Sequence, residues 1–531
     1  MTAVPLAGAA RAALDRLAAL PADGPGLAAA VLIGGRVAWS RCAGLASLQH
    51  RVPIGPGTRF HVVSCTKPFT AATVLSLAAA GRLSLDDDVR RHLPEMAVPD
   101  HGRPVRLRHL LSMTSGLRDV LEIARLAGAW HAAPSRPADL LDEALRQART
   151  SAPPGARFLY VNANFVLLDA VLRRIDGRSA NAARRAAVYG PLGLAGAADR
   201  AHDGMVTADL AEPYVAVDGG WRRATEILGI CGDPAVASLD DMTRWAAALR
   251  DGRIGDVATA PIMAERSKLA DGRLLHYGLG LFARHWRGLA AIGHFGSQPG
   301  YKSGIVAIPA RDVAVVLLTN REDLQPGRLV PQMLEAVLPD VPSLPPQADG
   351  PPMGEFSDPE TGEWIRLGRD AGGPVCETIG PTFHLCRDGA GWRDDGELGS
   401  LMPLTIVPAA TGALVVDLGG AAVRLSPVGD GSARTVDPDA YAGVYEGADI
   451  ASRHTVRNGP RGLEIVYGVG GDRARVFPMR AVGRDLFLVE PTAPGIAFRH
   501  ALAFRRDGRG RVRGAVVTME RLKGVELDRT R

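Results

Sequence analysis

The sequence is poor in lysine, in cysteine and in long apolar runs. Only Lys67, Lys268, Lys302 and Lys523 occur in 531 residues, and arginine supplies the remaining positive charge. The formal net charge is +5 without a dense basic run, so nothing in the sequence supports nucleic-acid binding. No uninterrupted apolar stretch reaches the roughly 18 residues of a membrane-spanning helix. The first residues lack a charged segment followed by an apolar one, so we expect no signal peptide.

The five cysteines indicate a reduced protein. Cys42, Cys65, Cys231, Cys376 and Cys386 are odd in number and lack metal-type spacing. This pattern fits a reduced cytoplasmic protein better than a disulfide scaffold, and we expect neither a metal nor another cofactor. Cys65 is adjacent to the first candidate site residue. It is either a thiol that sensitises the site to thiol reagents or a small buried side chain.

Ser64 and Lys67 form the motif S-x-x-K at the start of an apolar segment. A lysine three residues after a serine on one helix faces the serine hydroxyl. A desolvated lysine can lose its proton, whereas arginine cannot, so this pair predicts an activated serine nucleophile. The simpler alternatives are a helix-capping serine and a lysine in a salt bridge.

The residues around the motif favour the nucleophile. Residues 70–80 are apolar on nearly all sides, which predicts a buried helix that ends at Gly81. Pro68 fits only the first helical turn. Ser64 is therefore expected at a helix N-terminus, where free N–H groups and the helix dipole stabilise negative charge.

Two further motifs follow in the chain. Tyr160 and Asn162 form Y-x-N before a second apolar helical run, and His294 and Gly296 form H-x-G before a predicted β-hairpin. With residues 27–43, that hairpin predicts one antiparallel sheet built from both ends of the first domain, with a helical middle. Three motifs near the ends of elements suggest one site in the cleft between sheet and helices.

The order S-x-x-K, Y-x-N, H-x-G resembles the serine β-lactamase-like and penicillin-recognising hydrolases over about residues 1–335. Residues 110–117 and 240–245 resemble this family as well. Y-x-N in place of S-D-N points to the class C-like branch, and H-x-G in place of K-T-G points away from typical penicillin-binding enzymes. The length and the β-rich tail resemble one member group, the D-aminopeptidases.

The resemblance implies a role for each motif residue. Ser64 would form the acyl-enzyme, and Lys67 would share a hydrogen-bond network with Tyr160, the general base or acid. Asn162 would orient Lys67 or a substrate carbonyl. Neutral His294 would attract a substrate carboxylate less than a lysine does. Gly296 would allow close approach of the substrate, and the N–H groups of Ser297 and Ser64 would form an oxyanion hole.

The predicted fold class is α+β, a β-lactamase-like domain followed by two small antiparallel β-barrels. We expect a catalytic domain at residues 1–337, a proline-rich linker at 338–354, and barrels at 355–430 and 436–531. The expected partner is a small peptide or amide, without nucleic acid or membrane. We also expect a homodimer.

The predicted activity is release of N-terminal D-amino acids from peptides and amides by a serine aminopeptidase. A broad esterase, a D-amino-acid amidase or a weak β-lactamase could use the same residues, and a non-catalytic ligand-binding protein could use the same fold. Relatives are described as closing the cleft with a loop of the last barrel. Residues 489–495 are the candidate loop here, in which Glu490 could pair with the substrate ammonium or be an ordinary solvated turn residue.

Overall fold

The fold was obtained as a computed structural model, and its elements fall into an N-terminal region and two barrels. The structure describes residues 6–99, 101–128, 137–200, 205–224, 234–252, 254, 257–343, 350–399, 402–428, 437–450, 452–460, 462–467, 475–490 and 499–530. We call residues 6–343 the N-terminal region.

Ten helices of the described residues lie in the N-terminal region. They are α1 (Gly8–Leu17), α2 (Thr66–Ala79), α3 (Leu107–Leu111), α4 (Val120–Leu126), α5 (Pro137–Leu145), α6 (Ala163–Asp176), α7 (Ala180–Arg184), α8 (Leu239–Asp251), α9 (Thr259–Ala264) and α10 (Pro326–Val337). The last residues of α7 continue into a π-helical turn, Arg185–Tyr189.

Thirteen strands accompany these helices among the described residues. They are β1 (Leu27–Ile33), β2 (Arg36–Ala43), β3 (Leu45–Ser47), β4 (Val52–Pro53), β5 (Arg59–His61), β6 (Ala198–Asp199), β7 (Tyr214–Val217), β8 (Gly220–Arg223), β9 (Ala235–Ser238), β10 (Phe282–Trp286), β11 (Leu289–Gln298), β12 (Tyr301–Ile308) and β13 (Val313–Thr319).

The main sheet joins both ends of the N-terminal region, as the apolar patterns predict. Its six antiparallel strands have the order β10-β11-β12-β13-β1-β2. The central strands β12 and β13 are buried along their whole length. Helices α8 and α10 pack on them, which explains their continuous apolar sequences.

The segment between the two halves of the sheet is mostly helical and contains α2 to α8. It also contains a three-stranded sheet, β5-β9-β6, and the hairpin β7-β8. From residue 69 to residue 245 the sequence pattern predicted helices and long loops, because strands β6 to β9 have two to four residues and are too short to show an alternating pattern.

Each half of the tail forms a closed eight-stranded antiparallel barrel, which confirms the predicted fold class. The strands of the first barrel are β14 (Gly354–Ser357), β15 (Trp364–Asp370), β16 (Gly373–Thr378), β17 (Thr382–Asp388), β18 (Gly391–Asp394), β19 (Leu404–Pro408), β20 (Leu414–Leu418) and β21 (Ala421–Pro427). Those of the last barrel are β22 (Gly443–Gly447), β23 (Ser452–Gly459), β24 (Gly462–Tyr467), β25 (Arg475–Gly483), β26 (Leu486–Val489), β27 (His500–Arg506), β28 (Val512–Thr518) and β29 (Val525–Arg529).

The last barrel packs on the N-terminal region through its own apolar core. Ile123 and Leu126 of α4 belong to the same buried cluster as Met519, Leu522 and the barrel aromatics. Among the described residues, no helix is long and apolar enough to cross a membrane.

Candidate active site

Ser64 lies in a single 3-10 turn, Val63–Cys65, that leads directly into α2. It is therefore at the N-terminal end of the predicted buried helix, and the residue is 8% exposed. Val63 has a φ of 48°, a conformation that β-branched residues rarely adopt. Such backbone strain persists only where the surrounding packing enforces it, and it occurs here next to the candidate nucleophile.

Lys67 is completely buried one helical turn after Ser64. Its Nζ atom is 3.1 Å from Ser64 Oγ and 3.0 Å from Asn162 Oδ1. The same Nζ lies 5.0 Å from the centroid of the Tyr160 ring. The structure thus brings together four residues that the sequence patterns selected, and it places Lys67 at their centre.

Asp119 anchors Asn162 and was not selected from the sequence. Its Oδ2 atom accepts hydrogen bonds from the backbone N–H of Asn162 at 2.6 Å and from Asn162 Nδ2 at 3.0 Å. Its Oδ1 atom caps the N-terminus of α4. This buried carboxylate fixes the amide so that Asn162 Oδ1 faces Lys67. No pattern links position 119 to position 162, so only the fold reveals this contact.

His294 is a neutral hydrogen-bond acceptor in this site. Its Nδ1–H donates to the Phe295 carbonyl at 2.7 Å, so Nε2 carries a lone pair. The hydroxyls of Tyr277 and Tyr160 lie 3.1 and 3.4 Å from Nε2. Burial and then the charge of Lys67 lower the pKa of His294 to about 3. The ring therefore offers no positive charge at neutral pH.

Gly296 lets strand β11 approach the nucleophile turn. The pairing of β11 with β10 ends at Gly293, and the following residues face Ser64. A Cβ atom at position 296 would lie 2.5 Å from the Val62 carbonyl oxygen and 3.1 Å from the Ser64 nitrogen. Ser297 follows on the same strand, and its hydroxyl accepts a hydrogen bond from Lys302 Nζ at 2.8 Å.

Arg521 of the last barrel also reaches the site and was not selected from the sequence. Its guanidinium carbon lies 5.0 Å from the centroid of the Tyr160 ring. The residue belongs to the turn between β28 and β29, far along the chain from the three motifs. An isolated arginine belongs to no sequence motif, so only the fold shows its proximity to Tyr160.

Glu490 is not among the residues brought together around Ser64. Its carboxylate pairs with Arg480 Nε at 3.1 Å and with Arg499 Nε at 3.2 Å, beside Trp364 of the first barrel. The rest of the predicted gate, residues 491–495, lies outside the described residues.

The cysteines and the candidate metal ligands lie as follows in the described residues. In the described parts of the chain, no group of three His, Cys, Asp or Glu side chains is placed to hold a metal ion. Cys65 is fully buried, and its Sγ atom contacts the His294 carbonyl at 3.3 Å. Cys42, Cys376 and Cys386 are also free thiols, whereas Cys231 lies outside the described residues.

Residues 14–337 match the Beta-lactamase family, and they include every motif residue of this site. The chain belongs to the Beta-lactamase family. The protein is thus a serine hydrolase by family, in agreement with the resemblance that its motifs show.

Relatives from this family differ in how far they extend along the chain. A D-aminopeptidase of Cereibacter sphaeroides is 28% identical over 521 residues, 93% of this chain and 95% of the relative. A D-aminopeptidase of Gluconobacter oxydans is 29% identical over 369 residues, 67% of this chain and 68% of the relative. The similarity to the first relative therefore extends into the barrels.

Solved structures support the fold assignment. The octameric penicillin-binding protein homologue of Pyrococcus abyssi has a TM-score of 0.53 at 18% identity and covers 95% of this chain and 96% of its own. The D-amino acid amidase of Ochrobactrum anthropi SV3 has a TM-score of 0.52 at 22% identity, and covers 62% of this chain and 98% of its own.

Proposed function

We propose that this hydrolase is a serine aminopeptidase that releases N-terminal D-amino acids from peptides and amides through an acyl-enzyme on Ser64. The observation that carries the proposal is the buried Lys67 ammonium between Ser64 Oγ and Asn162 Oδ1. The preference for D-residues is supported by relatives named D-aminopeptidase, one of which matches over 93% of this chain.

In the proposed acylation, Ser64 Oγ bonds to the substrate carbonyl carbon while its proton passes to Tyr160, with Lys67 stabilising the charge that develops. The C–N bond then breaks, and the leaving amine takes the proton from Tyr160. The N–H groups of Ser64 and Ser297 would stabilise the oxyanion.

Deacylation reverses these roles. Water attacks the ester carbonyl and gives a proton to Tyr160, which returns it to Ser64 as the D-amino acid leaves. The buried position of Lys67 supports this proposal, because an ammonium beside the site stabilises either anion formed during proton transfer.

The neutral ring of His294 supports an aminopeptidase over a D,D-carboxypeptidase. A carboxypeptidase must bind a free carboxylate, and a neutral ring whose Nε2 atom carries a lone pair disfavours that anion. Glu490 was predicted to select substrates with a free amine by pairing with their ammonium group, and this role stays a prediction.

The direct test compares hydrolysis of D-alanine p-nitroanilide with its L-isomer. We expect turnover of the D-isomer, loss of this activity in Ser64→Ala, and retention in Ser76→Ala, a matched serine on the same helix α2. Preference for the L-isomer would remove the aminopeptidase proposal, whereas stable labelling of Ser64 by a fluorophosphonate would still identify the nucleophile.

Two finer expectations belong with this proposal. We propose a cytoplasmic location and a homodimer, both from the sequence. Fractionation of the source cells and light scattering on the purified chain test them, and a periplasmic protein or another oligomer would contradict them.

A further inference from the structure

The turn between β28 and β29, residues 519–524, is held against the N-terminal region beside Tyr160. The Asp119 N–H donates to the Arg521 carbonyl at 3.2 Å, and the Arg521 N–H donates to Glu122 Oε2 at 2.8 Å. The Lys523 N–H donates to Ser151 Oγ at 3.1 Å. The backbone of Arg521 is therefore fixed on one side by Asp119, which also orders Asn162, and on the other by Glu122.

The side chain of Arg521 extends from this turn over the Tyr160 ring. The side chain is 28% exposed, and its Nε atom lies 3.3 Å from Glu520 Oε1. Burial lowers the pKa of Arg521, but the carboxylates of Glu520, Asp119 and Glu122 outweigh burial and raise it above its ordinary value. The guanidinium is a permanent cation next to an aromatic face.

We propose that Arg521 is a positioning residue for Tyr160, in which its guanidinium holds the ring and stabilises the deprotonated hydroxyl that accepts the Ser64 proton. The proposal rests on the function proposed above. A cation over a phenol ring favours the phenolate, because the ring carries more negative charge in that form.

The other groups that face Tyr160 are already engaged. Lys67 contacts Ser64 and Asn162, and Arg284 donates to the Leu398 carbonyl at 2.6 Å. Burial and then Asp119 raise the pKa of Glu122 to about 8, so this carboxyl is mostly uncharged at neutral pH. Among the described residues, the titratable or charged groups that contact or electrostatically influence Tyr160 or Arg521 include Lys67, His294, Tyr277, Arg284, Asp119, Glu122 and Glu520.

The last barrel contains a matched pair outside the site. Arg506 lies 5.4 Å from the centroid of the Tyr441 ring, and its side chain is also 28% exposed. It is held by Asp485 at 2.6 Å, as Arg521 is accompanied by Glu520. Arg506→Gln thus removes an equivalent cation without touching Tyr160.

The experiment measures the rate at which a fluorophosphonate labels Ser64 in the full chain from pH 5 to pH 10. This reaction requires the activated serine but not a D-substrate, so it separates this inference from the aminopeptidase proposal. In Arg521→Gln we expect the acid limb of the pH–rate profile to shift to higher pH by about one unit. At pH values below this limb, labelling should be about tenfold slower than in the wild type. Labelling should approach the wild-type rate at high pH, and Arg506→Gln should leave the limb in place.

Two more variants keep the test decisive if Arg521→Gln does not fold. Arg521→Lys retains the charge and should move the limb less. Glu520→Gln removes a neighbouring negative charge, so its limb should move to lower pH. An equal loss of labelling at every pH in Arg521→Gln, or an unmoved limb in Glu520→Gln, would overturn the proposal. An effect confined to KM for peptides with a free carboxylate would also overturn it, because Arg521 would then bind substrate directly.

Discussion

The two barrels are both closed and antiparallel, yet they contact different parts of the N-terminal region. The first barrel touches the back of the site: Asp394 contacts His276 at 2.9 Å, and the Gly419 carbonyl accepts the Phe158 N–H at 2.7 Å. The last barrel touches Asp119, Glu122 and Tyr160 through one turn. Both barrels have the same fold. Their loops determine whether a barrel contacts residues of the candidate active site or only other residues of the N-terminal region.

The largest effect should come from substitution of Lys67, which lies in the N-terminal region and outside both barrels. Lys67→Arg is expected to reduce kcat/KM by about 10³-fold, because the larger planar guanidinium cannot replace the compact Lys67 Nζ between Ser64 Oγ and Asn162 Oδ1. Lys523, which pairs with Glu363 at 3.1 Å between the two barrels, is the matched control. Lys523→Arg should retain activity, and comparable losses in both variants would show that the two lysines matter only for packing.

The next prediction contrasts the two aspartates at the barrel interfaces. Asp119→Asn should reduce kcat about 10- to 100-fold, because Asn162 loses its charged hydrogen-bond acceptor. Asp394→Asn, which weakens contacts to His276 and to the backbone of Gly396 and Leu404, should lower thermal stability and leave kcat nearly unchanged. Kinetics and melting curves of both variants test this distinction. A lower kcat as the main effect of Asp394→Asn would refute it.

Buried Glu122 and partly buried Glu363 predict opposite dependence of stability on pH. Glu122 has a raised pKa of about 8, so its folded form binds more protons and stability falls as pH rises from about 4.5 to about 8. Burial raises the pKa of Glu363, but the charges of Lys523 and Arg157 outweigh burial, so the pKa is lowered overall. Ionised Glu363 therefore stabilises the folded protein above the pKa of the unfolded chain, and this stabilisation is lost in acid.

Denaturant titrations at several pH values measure this difference. Glu122→Gln should be more stable than the wild type near pH 8 and similar to it near pH 4. Glu363→Gln should be less stable near pH 8, with the difference shrinking in acid. Parallel stability curves for the wild type and Glu122→Gln would contradict the buried, protonated state of Glu122.

The smallest effect is expected for exposed ion pairs between each barrel and the N-terminal region. Arg273 pairs with Asp417 of the first barrel, and Arg149 pairs with Glu526 of the last barrel at 2.9 Å. Solvent screens such pairs. Arg273→Ala and Arg149→Ala should therefore leave activity and melting temperature unchanged within error, and a large loss in one of them would identify the barrel whose docking is electrostatic.

Local patterns in the sequence predicted much of the fold and part of the site. The buried helix after Ser64, the hairpin after His294 and the many short tail strands follow from apolar periodicity. The four-part domain boundaries stay a prediction, since residues 344–349 and 429–436 lie outside the described residues.

The missing part of the site consists of long-range contacts. Asp119, Tyr277 and Arg521 meet Asn162, His294 and Tyr160 only after folding, and none of them belongs to a motif. The tautomer of His294 depends on a hydrogen bond to the carbonyl of the next residue, Phe295, and residue types alone do not show the backbone and ring geometry that this bond requires.

The packing of α4 in the core of the last barrel has a consequence for how the molecule melts. Separating the barrel would expose Ile123 and Leu126 together with Met519 and Leu522, and wetting these side chains costs about 1.5–3 kcal/mol each. The barrel and the N-terminal region are thereby coupled into one cooperative unit, so calorimetry should record their unfolding as a shared transition rather than two separate ones.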